Sequence, residues 1–477
     1  MAEQLAPDIC VIGAGSGGLS VAAAAAAFGV SVVLIERGRM GGDCLNSGCV
    51  PSKALLAAAK RMHALRTASA FGVKAPRAKV DFFDVNAHVE EVIAAIAPND
   101  SRERFTGLGV RVIDGAARFR DRGTVVVGDD FEIAARRFVI ATGSTAAVPP
   151  ISGLDDVAYL TPESLFDLTQ CPKHLVIVGG GPIGLEMAQA HRRLGAEVTV
   201  LEAARPLARD DAECAAIVLD ALEREGVEIR SDVTVARVER ARSRIRVVLA
   251  TPDGHEEVIE GSHLLLAAGR RADVDDLRLD AAGIAYEMDG VRVDKGLRTT
   301  NRKVYAIGDA VLGALRFTHV ANYHAGLVVR NALFRQPVNA GKGVIPWVTY
   351  TDPELAQVGL QEDEARVRYG AIRVLRSAYH ENDRAQAERR TSGHIKIITD
   401  RKGRILGATI VGAQAGELIA TWTLAITQKL KVGALLGTVL PYPTLSEVGK
   451  RAALTYFTPR LTASWVRRII SALRRLG

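Results

Sequence analysis

Ile9-Cys10-Val11-Ile12-Gly13-Ala14-Gly15-Ser16-Gly17-Gly18 is a short apolar run that breaks into glycines, and an alanine-rich stretch follows it to about Phe28. A second run, Ser31-Val32-Val33-Leu34-Ile35, ends on Glu36. Strand, glycine turn, helix, strand and acid in this order make a dinucleotide-binding unit. Gly13 permits the tight turn, Gly15 lets the backbone approach a pyrophosphate at the helix N-terminus, and Gly18 allows close helix–strand packing. Glu36 accepts from the adenosine ribose hydroxyls. The three glycines alone are a weak signal, and the flanking strand, helix and acid make it specific.

The unit is then repeated. Leu175-Val176-Ile177-Val178 leads into Gly179-Gly180-Gly181-Pro182-Ile183-Gly184, a helix to Leu194, the strand Glu197 to Leu201, and Glu202. Glu36 stands 23 positions beyond Gly13, and Glu202 stands 23 beyond Gly179. Two units at equal spacing imply two bound dinucleotides, the second held through Gly179, Gly181, Gly184 and Glu202. Glu202 repels a ribose 2′-phosphate and binds a free ribose, so the second nucleotide is expected to be NAD(H) in preference to NADP(H). Arg205 is the residue that runs against this expectation.

Close behind the first unit lies Gly41-Gly42-Asp43-Cys44-Leu45-Asn46-Ser47-Gly48-Cys49-Val50-Pro51-Ser52-Lys53. On a regular helix, cysteines five apart face different ways, too far apart for a disulfide. Asn46-Ser47-Gly48 supplies turn formers that bend the backbone back. Pro51 suits an early helical position and Ala54 to Lys60 continues as helix, which puts Cys49 near a helix N-terminus, a place that favours a thiolate. A structural disulfide or two buried free thiols are the plain alternatives.

Composition bounds the rest. A chain of 477 residues exceeds one ordinary core, and its 48% apolar and 24% charged residues are those of a globular protein. No apolar run reaches membrane-spanning length, and the N-terminus lacks a basic signal region, so a cytoplasmic protein is expected. Five cysteines do not make a secreted disulfide framework; a local pair suits redox chemistry, and no metal ligand set is expected. The formal charge of +7 is partly local, with Arg460, Arg467, Arg468, Arg474 and Arg475 crowding the last eighteen residues, so nucleic acid is not an expected partner.

Between the two units an amphipathic stretch runs from Val85 to about Phe105, and alternating strands from Arg111 to Ile133. Phe138-Val139-Ile140-Ala141-Thr142-Gly143-Ser144 is a buried strand breaking into a glycine turn, and Leu264 to Arg270, through Gly269, is its near-twin. Val304-Tyr305-Ala306-Ile307-Gly308-Asp309-Ala310 is a strand ending on an acid that either caps a helix or grips a ribityl or phosphate-bearing ligand; a helix over about Thr318–Phe334 follows. From Lys342 onward β-rich segments alternate with helices near Gln361 to Arg368 and Glu417 to Lys429, which reads as an α+β assembly domain. The expected class is α/β, with two Rossmann-like dinucleotide domains and a C-terminal α+β dimerisation domain.

These motifs, together with Thr351-Asp352-Pro353-Glu354-Leu355 and Pro443-Thr444-Leu445-Ser446-Glu447, resemble the class I FAD-dependent pyridine nucleotide–disulfide oxidoreductases, over about Asp8 to Phe457. The resemblance implies FAD on the first unit through Gly13, Gly15, Gly18, Glu36, Gly42, Thr142, Gly143 and Asp309, with Gly269 in the equivalent turn of the nucleotide unit. Lys53 and Glu186 form an ion pair beside the flavin. Hydride passes from NADH to FAD and opens a Cys44–Cys49 disulfide, Cys49 facing the flavin and Cys44 exchanging with substrate. The implied division is 1–148 and 271–339 for FAD, 149–270 for NAD(P), 340–459 for a homodimer interface, and 460–477 as a basic amphipathic tail. The substrate is a small disulfide or thiol, or a soft-metal thiolate.

One position departs from the pattern. Dihydrolipoamide dehydrogenases and glutathione reductases carry a histidine immediately before the proline of this last motif, where its imidazole, oriented by the residue equivalent to Glu447, moves protons between thiols. Here that residue is Tyr442, which resembles mercuric reductase, whose thiolate-bound metal substrate needs no such base. Mercuric reductases also end in a vicinal cysteine pair, and this sequence has no cysteine after Cys214. The leading expectation is mercuric-reductase-like disulfide oxidoreductase chemistry, the alternatives being dihydrolipoamide dehydrogenase or a flavin electron-transfer partner docked on a membrane or protein complex. His319, His324, His380 and His394 are candidate replacement bases, each more simply a surface or capping histidine. Cys10, Cys171 and Cys214 read as inert. Asn382-Asp383-Arg384-Ala385 reads as a solvated turn or a substrate-positioning element. In the tail, Leu461, Trp465, Ile469 and Leu473 recur every fourth residue with Ile470 and Leu476 beside them, a pattern for packing on the dimer or for peripheral membrane contact at the inner membrane face.

Overall fold

The computed structural model describes residues 2–75, 78–242, 244–250, 256–461 and 463–475, without the side chains of Arg460 and Leu461. Leu476 of the expected tail stripe lies outside the described residues, as do the side chains of Arg460 and Leu461. The chain forms two compact units, Met1–Ala203 with Asp232–Gly343, and Ala204–Ser231 with Val344–Gly477.

In the first unit β1 (Ile9–Ile12), α1 (Ser16–Ala27) and β2 (Val32–Glu36) follow the expected order. The loop after β2 gives α2 (Gly42–Asn46) and α3 (Cys49–Thr67), then α4 (Phe82–Ile96), β3 (Arg111–Asp114) and β4 (Arg137–Ile140). Next come β5 (His174–Val178), α5 (Pro182–Leu194), β6 (Glu197–Leu201), β7 (His263–Leu266), β8 (Val304–Ala306) and α6 (Thr318–Phe334). One parallel sheet has the order β8-β4-β1-β2-β3. In a second, β5 pairs in parallel with β6 and β7. Cys10, Val11, Leu34, Phe138 and Tyr305 are fully buried, as expected of a sheet covered on both faces. Small residues on α1 admit α6: a Cβ on Gly17 would meet the Ala321 methyl at 3.2 Å.

The continuous amphipathic stretch expected over Val85–Phe105 is broken. A 3₁₀ turn spans Ala97–Asp100, Pro98 cannot donate within a helix, and Ser101 restarts the chain by accepting from the Arg104 amide at 3.2 Å. The alternating stretch after it divides between sheets: β3 joins the parallel sheet, whereas Ala117–Asp121, Thr124–Val127 and Phe131–Ile133 make an antiparallel sheet that Glu3–Leu5 extends.

The second unit is built on a five-stranded antiparallel sheet ordered Trp347–Thr349, Glu354–Gly359, Ile405–Gly412, His394–Asp400, Ile372–Ala378. Residues 204–231 fall in the same compact unit as this sheet. Ion pairs tie them to it. Lys396, buried in a central strand, donates to Asp211 at 2.8 Å, and Glu213 on the Ala212–Arg224 helix pairs with Arg376 at 2.8 Å. Asn382 is also not in a solvated turn: it is buried, caps a short Asp383–Ala387 helix, and donates to the Thr444 carbonyl at 3.0 Å.

Candidate functional site

The two fingerprints are physically equivalent. Gly13 sits at φ +102° and Gly179 at φ +119°, and a Cβ on either would come within 2.4 Å of a carbonyl, that of Ala141 or of Ala267. Each first glycine is thus pressed against the end of a partner strand, which explains why Ala141-Thr142-Gly143 and Ala267-Ala268-Gly269 occur as twins. Gly18 and Gly184 close each turn, since a Cβ there would overlap the carbonyl of Gly13 or Gly179. Space opens where a ligand is expected: Cβ atoms on Gly143, Gly181 and Gly269 would meet nothing within 4 Å, and one on Gly15 only Gly42 Cα at 4.0 Å. Glu36 and Glu202 accept from the amides of Ala14 and Gly180, each at 2.6 Å, so both carboxylates are aimed into their glycine turns.

The cysteine loop is seated on the first fingerprint. Gly41 donates to the Ala14 carbonyl at 3.0 Å, and Asn46 caps its own turn by donating to the carbonyls of Met40 and Gly42. Cys44 lies on α2 and Cys49 is the first residue of α3, with Ser47 and Gly48 making the reversal. Both thiols are free; Cys49 is exposed and Cys44 half-buried. The Cys44 thiol donates to Cys49, and this bond chiefly, with Thr318 and the Lys53 charge, pulls Cys49 down to about 6 against the opposing effects of burial and Asp43. Cys44 is pushed up by the same bond, by burial and by the charge on its neighbour. One proton is therefore shared unequally by the pair, with Cys49 as the thiolate.

Lys53, one turn along α3, donates to Glu186 on α5 at 2.8 Å. Glu186 is 4% exposed. This bond joins the helix carrying the thiolate to the helix that opens the second fingerprint.

Asp309 follows β8 and accepts from Ser144 at 2.6 Å; burial raises its carboxyl, with Ser144, Arg270 and Arg316 acting in the opposite direction. Arg270 donates to Ser144 Oγ at 2.8 Å and pairs with Asp43 at 3.0 Å. Asp43 in turn accepts from Ser47 at 2.8 Å. Ser144, Arg270 and Asp43 lie inside motifs the sequence displays, without a site role assigned to them there; Thr318 only begins an expected helix.

These features decide the family. The pyridine nucleotide-disulphide oxidoreductase model matches residues 7–325, and the dimerisation domain of the same family matches 345–453. The chain belongs to the pyridine nucleotide-disulphide oxidoreductases. Among relatives, a mercuric reductase of Streptomyces lividans is 37% identical over 94% of this chain and 96% of its own length. A dihydrolipoyl dehydrogenase of Thermus scotoductus is 35% identical over 92% and 95%. The HOCl-induced flavoprotein disulfide reductase RclA from Escherichia coli superposes with a TM-score of 0.84 at 29% identity, over 94% of this chain and 99% of that one.

Membership in the pyridine nucleotide-disulphide oxidoreductases implies FAD and a pyridine nucleotide. The residues present fit a flavin dinucleotide: the Thr142 hydroxyl is buried without a hydrogen-bond partner in the turn beside Gly13, and the adjoining Gly143 faces open space.

The second unit holds Tyr442 and Glu447. Tyr442 is 68% exposed and its hydroxyl donates to Asp383 at 2.9 Å, which raises the phenol. Glu447 accepts weakly from the Thr444 amide at 3.4 Å and begins the helix Glu447–Thr455. Of the candidate histidines, His324 accepts from the Gly308 amide at 3.2 Å, His319 stacks on Phe317, and His394 lies 3.5 Å from Cys214. Cys10 and Cys214 are buried, and burial raises both thiols. Among the described residues, no group of three or more His, Cys, Asp or Glu side chains is arranged to hold a metal ion. No helix among them is long and apolar enough to cross a membrane.

Proposed function

We propose that this disulfide reductase is a cytoplasmic homodimeric enzyme that uses NADH to reduce the Cys44–Cys49 pair, and that the pair serves a thiolate-bound soft metal ion of the mercuric-reductase type. The observation that carries the substrate class is Tyr442. Its phenol already donates to Asp383, so it is no proton acceptor near neutral pH, and a substrate bound by two thiolates does not require one. Two of the relatives have names in keeping with this reading, a mercuric reductase and an RclA solved as a Cu(II) complex, and the dihydrolipoyl dehydrogenase, about as similar, is the competing one.

Bound FAD supplies the two-electron relay between pyridine nucleotide and cysteines. Gly13, Gly15, Gly18, Glu36, Gly42, Thr142, Gly143 and Asp309 hold it. Gly179, Gly181, Gly184, Glu202 and Gly269 hold NADH; Arg205 is engaged with the carbonyls of Ala208 and Asp210, at 3.0 and 3.2 Å, which supports the free-ribose nucleotide. Lys53 offsets negative charge that reduction brings to this pocket, and Glu186 keeps the ammonium oriented. Two electrons and one proton convert the disulfide to the Cys49 thiolate and the Cys44 thiol. Cys49 stays charged through the Cys44 thiol, Thr318 and Lys53 at its helix N-terminus, while Cys44 is the sulfur that exchanges with substrate, its proton leaving with the displaced thiolate ligand as a free thiol.

Steady-state NADH oxidation by the purified holoprotein tests this reading against Hg(II) and Cu(II) as thiol complexes, lipoamide and oxidised glutathione. The expected result is turnover of at least one metal–thiol complex that is lost in both Cys44→Ser and Cys49→Ser. Efficient lipoamide or glutathione reduction with no metal turnover overturns the assignment.

A further inference from the structure

Ser464–Leu473 is a ten-residue helix beyond the part of the chain that matches the family's dimerisation domain, which ends at residue 453. Its large apolar side chains are uncovered: Trp465 and Leu473 are each 58% exposed, Ile470 51% and Ile469 49%. At about 100° per residue, these four and Val466 occupy one side of the cylinder. Arg467 and Arg468 border that side along its two edges, Ser464 and Ser471 lie opposite, and Arg474 and Arg475 follow the last residue of the helix.

Charge marks the stretch that contains this helix. Beyond Glu447 the chain has seven Lys and Arg residues and no Asp or Glu, so the whole formal excess of +7 is carried there and residues 1–447 are balanced. Guanidiniums along both margins of an apolar face match an anionic bilayer, where the apolar side chains enter the acyl boundary and the arginines meet lipid phosphates. A nucleic-acid groove offers no partner for four uncovered large apolar side chains.

We propose that Ser464–Leu473 is an interfacial anchor that holds this reductase on an anionic phospholipid surface. Flotation of the full-length, FAD-loaded protein tests it, using phosphatidylcholine vesicles with and without phosphatidylglycerol. Binding is expected with phosphatidylglycerol only, weakening as NaCl rises, and falling by more than about tenfold both in the fourfold Arg→Gln variant at 467, 468, 474 and 475 and in Trp465→Ser/Ile469→Ser. NADH oxidation in solution should be unchanged in both variants. Failure of the wild type to float with phosphatidylglycerol at low salt overturns the proposal. So does loss of binding in the arginine variant alone, which indicates mere electrostatic adsorption. A shift of Trp465→Ser/Ile469→Ser to a smaller species in size-exclusion chromatography also overturns it, because the stripe then belongs to a contact between copies.

Discussion

Thr318 Oγ1 stands 3.4 Å from Cys49 Sγ, so the first residues of two helices, α3 and α6, meet at the thiolate. With the Cys44 thiol and the Lys53 charge, this contact favours the ionised form of Cys49, against desolvation of the sulfur and the charge of Asp43.

The pH dependence follows. Cys49 should react with iodoacetamide as a thiolate with a midpoint at about pH 6, whereas an ordinary thiol titrates near 9. Because the folded value is the lower one, ionisation of Cys49 stabilises the reduced fold fully above about 9 and ceases to do so as pH falls through about 6. Thr318→Val removes one hydrogen bond to a charged group and should raise the midpoint by about one unit or less. Alkylation rates of the reduced protein, followed by mass spectrometry in the Cys44→Ser background and in wild type, provide the check. The Cys44→Ser protein should itself shift upward, since the Cys44 thiol is the largest contributor.

Lys53 and Glu186 should be coupled. Lys53→Met leaves a carboxylate that is 4% exposed without this ammonium, and a loss of about 2–3 kcal/mol is expected. That is below the cost for a fully buried pair, because the Lys53 side chain is 39% exposed and partly screened. Adding Glu186→Gln should recover much of the loss. Urea unfolding of the four proteins in a double-mutant cycle measures the coupling, and additive losses are the outcome inconsistent with the pair.

Most of this fold was legible because its signals are local. Val-Ile-rich runs, glycine turns and an acid at fixed spacing specify β1–α1–β2 and β5–α5–β6 within about thirty residues each, and the expected helix Thr318–Phe334 is the observed one. What was not legible depends on residues far apart. Thr318 reaches Cys49 across 269 positions, and Arg270 is brought toward Asp43 on a strand, Arg270–Ala272, that pairs with Ser144–Ala146. Neither pairing leaves a periodicity. The break at Pro98 was readable and was overridden by the apolar pattern on either side of it. Asn382 was read as a turn residue because its type favours turns; it is buried and bonded to the Thr444 carbonyl, 62 positions away, a pairing that sequence distance hides.

Nucleotide preference should rest on Glu202. Its carboxylate is fixed by the Gly180 amide at 2.6 Å, and a 2′-phosphate brought to that turn meets negative charge. NADH should exceed NADPH in kcat/KM by at least about tenfold, which corresponds to about 1.4 kcal/mol. Glu202→Gln keeps an acceptor without the charge and should narrow the ratio, chiefly through KM for NADPH. An NADPH preference in the wild type refutes this.

Tyr442 should limit thiol substrates that need a base. The hydrogen bond from its hydroxyl to Asp383 at 2.9 Å raises the phenol further above neutral, so at pH 7 the group holds its proton and accepts none. Tyr442→His puts an imidazole, which titrates near neutral, at the start of the segment that leads to Glu447, and dihydrolipoamide oxidation at pH 7 should rise about ten- to a thousandfold, the range of a general base short of ideal placement. Asp383→Asn separates proton transfer from simple release of the side chain: it removes the carboxylate that holds the phenol but supplies no base, so it should leave the dihydrolipoamide rate at the wild-type level. A dihydrolipoamide rate in the wild type equal to that of Tyr442→His sinks the argument, because proton transfer then proceeds through some other group.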